Sequence, residues 1–195
     1  KICTILIRTK GEGTNTTSSV RDTNLDDYLK AINYIIKKNF LIFLVGGVNS
    51  NKYFDEINKI SNKKLGISKQ LYDIYASTEC DFYIGCEGGA QVLAHYNKNR
   101  INVNQFPYGH PPLNGKILYK KIFKNGIEVE EEVCLRDHLF KLPYSQDVID
   151  KYSKEIIKKN PLEGNDNAYN MFSKEYTFRD NTENEILEFV KKNIN

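Results

Sequence analysis

The chain has 195 residues, of which 40% are hydrophobic and 27% are charged. This balance is typical of a folded globular protein and excludes a disordered one. The net charge of +3 is too small to indicate a nucleic-acid partner, and no apolar run approaches the ~20 residues that a transmembrane segment needs. The four cysteines match no zinc-binding spacing, so we expect reduced thiols, no bound metal and a cytoplasmic protein.

Apolar runs alternate with amphipathic segments in the first half of the chain. Four runs predict buried strands, at 2–8, 40–45, 82–85 and 101–104. Four segments predict helices, at 25–38, 51–62, 68–77 and 88–97. This alternation predicts an α/β fold, with a Rossmann-like parallel sheet and helices on both of its faces.

Helical periodicity also predicts which side chains reach the core. Asn24 is the expected cap of the first helix. The expected core residues of that helix are Leu25, Tyr28, Leu29, Ile32, Ile35 and Ile36. On the helix over 68–77 we expect the inward side chains to be Leu71, Ile74 and Tyr75.

The pattern changes after residue 105, where a proline-rich loop begins. In the segment 116–133, Asn125 and Gly126 lie between two strand-like arms, which predicts a β-hairpin. An irregular segment that leads to a helix at 133–141 is the alternative.

Two further helices are predicted near the end of the chain. Ser145 can cap a helix that ends before Pro161. Thr182 and Glu185 predict a capping box for the last helix. We therefore predict one domain over 1–195, with an α/β core over 1–142 and a helical C-terminal extension over 143–195.

Ligands of open parallel sheets bind at the carboxyl ends of the strands. Arg8 ends the first strand, where a guanidinium is suited to bidentate phosphate binding; a salt bridge at the sheet rim is the alternative. Arg21 and Asp22 lie just before the first helix, where they can also pair with each other or with its first turn. Gly46 and Gly47 follow the second strand on the same predicted rim.

The corner over 85–89 joins the strand at 82–85 to the next helix. Gly88 and Gly89 open that helix, so unpaired backbone N–H groups there are suited to a diphosphate. Glu87 would repel a phosphate but can accept hydrogen bonds from sugar or ribose hydroxyls. The alternative is that Glu87 only caps the helix and the glycines only permit a tight corner. The acid beside Cys86 disfavours a nucleophilic thiolate there.

Histidines offer one weak candidate for acid or base catalysis. His110 lies in the proline-rich loop on the predicted rim, and a purely conformational role is the alternative. We expect His95 to be packed or at the surface of a helix, and His138 has no evident partner.

Five blocks of the sequence carry a family resemblance: "ILIRTKGEG", "SSVRDTNLDDYLKAINYIIKKNFLIFLVGG", "LYDIYASTECDFYIGCEGGAQVLAHYNKNRINVNQFPY", "KILYKKI" and "RDNTENEILEFV". Their order and spacing resemble the C-terminal half of bacterial glycosyltransferases with the GT-B architecture. That family is found in surface-polysaccharide gene clusters and is distantly similar to protein O-fucosyltransferases. Arg8, Arg21 and Asp22 match positions of the family. Thr9 stands where an acid is expected, and the corner over 85–89 replaces a Gly-Thr-Ser-Ser-Gly sequence.

The resemblance implies a donor-binding domain that transfers a sugar from a nucleotide sugar to a surface glycan acceptor. It implies transfer without a metal or another cofactor, and a second, N-terminal domain that is not in this chain. A peripheral position at the inner membrane face is an alternative to a purely cytoplasmic one. We assign donor and phosphate binding to Arg8, Arg21, Gly46, Gly47, Glu87, Gly88, Gly89 and Gln91. The alternative functions are a nucleotide-sugar epimerase or hydrolase on the same fold and a non-catalytic binding module.

Overall fold

A computed structural model describes residues 1–8, 22–46, 65–86, 92–94, 97, 99–105, 115–130 and 176–194. The chain divides into two compact units, the first formed by Lys1–Lys120 with Asp180–Asn195 and the second by Lys121–Arg179. The prediction of one domain with a boundary after residue 142 stays a prediction, because 131–175 lie outside the described residues.

The first unit contains a five-stranded parallel sheet. Its strands are β1 (Ile2–Leu6), β2 (Leu41–Val45), β3 (Phe82–Gly85), β4 (Arg100–Gln105) and β5 (Lys116–Tyr119). They are arranged in the order β2-β1-β3-β4-β5, and every neighbouring pair is parallel. The apolar strands are buried because the sheet is covered on both faces. The predicted α/β, Rossmann-like fold class is confirmed.

Two layers of helix cover the faces of this sheet. A 3₁₀ turn (Leu25–Tyr28) leads into α1 (Leu29–Lys37), and both pack with α3 (Glu183–Asn193) on one face. Helix α2 (Lys69–Thr78) packs on the other face. No helix in the described ranges has both the length and the apolar character that crossing a membrane requires.

The start of α1 follows the sequence prediction closely. The Asn24 side chain accepts a hydrogen bond from the Asp26 N–H at 3.2 Å and caps the 3₁₀ turn. The expected core residues are buried, except that Leu29 is only partly buried and Ile36 is 41% exposed. Ile36 lies about 100° around the helix from Ile35, at the margin of the buried stripe.

The predicted inward face of α2 is wrong. Leu71, Ile74 and Tyr75 are each about half exposed, at 54%, 46% and 51%, whereas Tyr72 and Ala76 are buried. The Tyr72 ring stacks on Phe43 of β2, with centroids 5.7 Å apart. Apolar residues occur on both sides of this helix, so periodicity alone could not select the side on which the larger aromatic contact forms.

Helix α3 begins at the predicted capping box. Thr182 and Glu185 exchange side-chain to backbone hydrogen bonds, and the Thr182 N–H donates to Glu185 Oε2 at 2.9 Å. Ile186, Val190 and Ile194 are buried in the core of the first unit. This end of the chain therefore closes one face of the parallel sheet.

The second unit contains a three-stranded antiparallel sheet. Its strands are β6 (Lys121–Lys124), β7 (Ile127–Val129) and β8 (Tyr176–Arg179), in the order β7-β6-β8. The β6–β7 hairpin is confirmed, with Asn125 and Gly126 at φ values of +51° and +81°. We did not predict β8. The possible helix at 133–141 and the helix that begins after Ser145 lie outside the described residues.

Candidate functional site

The strand order gives the first unit one topological switch point. Strands β2 and β3 lie on opposite sides of β1, so the crevice between the carboxyl ends of β1 and β3 is where a ligand of such a sheet binds. Arg8 and Cys86 lie at this point, and the Arg8 N–H donates to Cys86 Sγ at 3.1 Å. The chain segments that leave β1 and β3 are thus held next to each other.

Arg8 brings a positive charge to the switch point. Its Nε–H donates to Asp22 Oδ1 at 3.0 Å, and its side chain is 22% exposed. The salt bridge expected as the alternative role therefore forms. Asp22 pairs with Arg8 across the rim. In the described part of the chain the Arg8 side chain makes no further polar contact, so Asp22 engages Nε and leaves Nη1 and Nη2 without a partner there.

A network of neutral side chains supports the rim behind Arg8. The Asn104 Nδ2 group donates to Thr23 Oγ1 at 2.9 Å, and Asn104 Oδ1 accepts from both the N–H and the Nδ2 of Asn181 at 2.8 Å. The Thr23 N–H donates to the Arg8 carbonyl at 2.9 Å. Asn104 has φ +53° and lies where the β4–β5 register shifts. This bulge turns its side chain into the network.

Lys120 and Asp180 form the charged part of the same network. Lys120 Nζ lies 2.6 Å from Asp180 Oδ1 and donates to the Asp22 carbonyl at 2.6 Å. Asp180 Oδ2 accepts from Thr23 Oγ1 at 3.0 Å. The Lys120 side chain is only 5% exposed, so its charge is neutralised by the ion pair with Asp180. We call these seven residues the rim cluster: Arg8, Asp22, Thr23, Asn104, Lys120, Asp180 and Asn181.

Charge in the rim cluster is balanced, with two cations and two carboxylates. Beside it, partial burial and then the negative charges of Asp180, Asp26 and Glu183 raise the pKa of Asp27. Asp26 and Glu183 lie in the first turns of the 3₁₀ turn and of α3, where they complement the helix dipoles. The cluster therefore has no net charge, and the neighbouring acids lie beside it at the helix starts.

Gln105 ends β4 and is a candidate that we left out of the predicted site. Its side chain is 1% exposed, and neither Oε1 nor Nε2 has a hydrogen-bond partner in the part of the chain that the structure describes. A buried amide without partners costs about 1 to 3 kcal/mol per group. A ligand group that both donates and accepts would remove that cost. The signal in the sequence is a glutamine at the end of a buried strand on the rim.

Gly46 is the other predicted site residue that the structure describes. Its backbone conformation and its close neighbours explain why glycine occupies this position. It has φ +94°, and an added Cβ would lie 3.0 Å from Leu6 Cδ1 and 3.1 Å from the Ile7 carbonyl oxygen. The remaining predicted site residues lie outside the described ranges: Arg21, Gly47, Glu87, Gly88, Gly89, Gln91 and His110. The anion site proposed at the 85–89 corner thus stays a prediction.

Three of the cysteines lie within the described ranges. Cys3, Cys80 and Cys86 are buried free thiols. Burial, followed by the neighbouring Cys80, raises the pKa of the Cys3 thiol. Cys86 is fully covered and accepts from the Arg8 N–H, which is unlike an exposed nucleophile. These ranges hold no cluster of three or more His, Cys, Asp or Glu side chains that could bind a metal ion.

The fold defines a Rossmann-like α/β protein, and Arg8 lies at the switch point of its parallel sheet. No protein-family model matches the chain, and no curated protein matches it at a significant level. Among solved structures, the E. coli ADP-heptose lps heptosyltransferase II is similar to this chain, with 10% identity and a TM-score of 0.44. The similarity covers 70% of this chain and 45% of that one. The chain thus spans less than half the length of the heptosyltransferase.

Proposed function

We propose that this chain is the donor-binding domain of a glycosyltransferase and that it holds the diphosphate of a nucleotide sugar beside Arg8. The observation that carries the proposal is the position of Arg8 at the switch point of a parallel sheet. The sequence resemblance supports the same function. As the resemblance implies, a second domain would supply the rest of the cleft and a glycan would be the acceptor.

The Arg8 contacts suit a diphosphate for two reasons. The bond from Nε to Asp22 fixes the plane of the guanidinium, so less side-chain entropy is lost when an anion binds. The two terminal nitrogens then form a bidentate pair of charge-assisted hydrogen bonds to phosphate oxygens. During transfer they stabilise the negative charge of the leaving diphosphate without a metal. The Gly88 and Gly89 N–H groups and the Glu87 carboxylate are proposed to complete the site.

Gln105 is proposed to bind the nucleobase of the same donor. Strand β3 lies between β1 and β4, so Arg8 and Gln105 are separated across the sheet by two strand spacings, about 10 Å. This separation is comparable to that between the diphosphate and the base of one nucleotide. A carboxamide presents a donor and an acceptor together, as the polar edge of a base does.

The alternatives predict different observations. A nucleotide-sugar epimerase or hydrolase would consume the donor when no acceptor is present. A non-catalytic module would show an exposed apolar face on the last two helices and no usable cleft. Of these two helices, α3 buries Ile186, Val190 and Ile194 in the core of the first unit, and the helix after Ser145 lies outside the described residues.

Titration calorimetry with UDP-, GDP-, ADP- and CMP-sugars tests the proposed function. We expect one of them to bind and Arg8→Ala to weaken that binding about 10- to 100-fold, the effect of losing charge-assisted hydrogen bonds. Lys37→Ala, which removes an exposed charge from the end of α1, is the matched control and should leave the affinity unchanged. Absence of binding to the whole panel, or equal affinity of wild type and Arg8→Ala, would contradict the proposal.

Asp22→Asn separates phosphate binding from structural support in the same experiment. This variant weakens the ion pair with Arg8 but keeps the guanidinium. If Arg8 contacts the diphosphate, Asp22→Asn should keep most of the affinity, because an amide oxygen can still accept from Nε and hold the plane of the guanidinium. A loss as large as that of Arg8→Ala would show that Arg8 acts only through the ion pair.

The role of Gln105 makes a prediction about selectivity. Gln105→Leu should weaken the binding of nucleoside diphosphates about tenfold, because two hydrogen bonds are lost. The affinity for inorganic pyrophosphate should not change. The melting temperature should not fall, since the substitution removes a buried amide that has no partner within the described ranges. Equal effects on both ligands, or on neither, would assign Gln105 no part in base recognition.

A further inference from the structure

A second group of buried polar side chains lies away from the rim cluster, at the start of β4. Arg100 is 3% exposed, and across the described ranges none of its three guanidinium nitrogens has a hydrogen-bond partner. Tyr83 is its register partner on β3, is fully buried, and likewise has a hydroxyl without a partner. Both side chains lie on the α2 face of the sheet, where Tyr83 packs with Tyr72 and Ala76.

An unpaired guanidinium is costly to bury because it loses its hydration without gaining a counter-charge. Burial lowers the pKa of Arg100, and Tyr83 acts against that shift. Asp73 on α2 is close enough to Tyr83 to influence its pKa. Its Oδ2 pairs with Lys69 at 2.6 Å, and its Oδ1 is buried without a hydrogen-bond partner in the described ranges. Within the described ranges, no carboxylate forms a hydrogen bond or an ion pair with Arg100.

Two glycines leave the space that the Arg100 and Tyr83 side chains occupy. A Cβ added to Gly115, which has φ +104°, would lie 2.7 Å from Arg100 Cγ and 2.6 Å from the Arg100 carbonyl oxygen. A Cβ added to Gly85 would lie 2.8 Å from Tyr83 Cε1. Larger residues at either position would displace Arg100 or Tyr83, so the backbone on both sides is shaped around them.

We propose that Arg100 and Tyr83 form a binding site for a small oxyanion of the phosphate, sulfate or carboxylate class. The guanidinium offers up to five N–H donors in a planar fork, and the phenol offers one O–H donor. An oxyanion accepts from both and supplies the missing negative charge. Arg100 and Asn104 are four residues apart on β4, about 13 Å, so this site is separate from the rim cluster.

Thermal unfolding in phosphate-free buffer tests the site, with sodium phosphate, sulfate or acetate added against sodium chloride of equal ionic strength. An anion that binds only the folded protein raises the melting temperature by about 5 to 10 °C at roughly 100 times its Kd. We expect this rise in wild type and its absence in Arg100→Met. The anion that gives the largest rise distinguishes a phosphate or sulfate ligand from a carboxylate. Lys116→Met, an exposed cation on neighbouring β5, is the control and should keep the rise.

Arg8→Ala distinguishes this site from the proposed nucleotide site. The rise in melting temperature on addition of the oxyanion should persist in that variant, whether or not Arg8 binds nucleotides. Tyr83→Phe should reduce the rise without abolishing it, because the guanidinium remains.

Three results would overturn the proposed oxyanion site. The first is a wild-type melting temperature that none of the three anions raises above the chloride control. The second is a rise that Arg100→Met retains. The third is an Arg100→Met protein that melts lower than wild type in buffer alone, or does not fold, because Arg100 would then have a partner within the chain.

Discussion

Asn104 connects three parts of the first unit through one side chain. It accepts from the Asn181 backbone and side chain and donates to Thr23, so it joins the end of β4 to the segments before α1 and α3. Its positive φ is uncommon for a residue with a side chain, although asparagine tolerates it better than most.

Replacement of Asn104 should therefore destabilise the protein strongly. Asn104→Ala leaves buried partners unsatisfied and places alanine in the left-handed region, for an expected loss of about 3 kcal/mol or more in the free energy of unfolding. Asn39→Ala is the matched control, since Asn39 has φ +64° but is exposed, and should cost only about 1 kcal/mol. Urea denaturation measures both, and equal losses would contradict the role of the Asn104 network.

The sequence predicts single site residues only where local pattern decides their position. Arg8 could be placed on the rim because it ends an apolar strand. Asn104, Lys120 and Asn181 could not be grouped in advance, because their contacts depend on a bulge and on a return of the chain across more than 50 residues. Gln105 ends a buried strand, but that its amide has no partner within the described ranges is visible only in the fold.

At the scale of elements, strands were easier to predict than helix faces. Mainly apolar runs correctly indicated β1 to β3, the alternating segment 101–104 indicated β4, and the Asn125–Gly126 pair indicated the hairpin. The prediction of the inward face of α2 was wrong because both sides of that helix carry apolar residues. Strand β8 was missed because it is short and pairs with β6 far away in the sequence.

The capping box of α3 gives a test at this scale. Thr182→Ala removes the hydroxyl that accepts from the Glu185 N–H, and should lower the free energy of unfolding by about 1 kcal/mol. Thr78→Ala is the control, because the Thr78 hydroxyl donates only to carbonyls of its own helix and lies at an exposed end. We expect its effect to stay within about 0.5 kcal/mol. Equal effects in the two variants would mean that the cap contributes nothing.

For the whole molecule, the chain leaves the parallel sheet and returns to it. Residues Lys121–Arg179 form the second unit, and Asp180–Asn195 come back to complete the first. The predicted parallel sheet is present. The division of the segment 116–124 between two sheets was not predicted. The sequence pattern indicated a single hairpin arm there, whereas the structure has two strands, β5 and β6.

A crystal structure of the protein with its tightest-binding nucleotide sugar is the most direct measurement of the central claim. We predict that the diphosphate lies at the carboxyl ends of β1 and β3, with its oxygens about 3 Å from the terminal nitrogens of Arg8. A diphosphate bound at the amino ends of the strands, or on the second unit, would contradict the proposal.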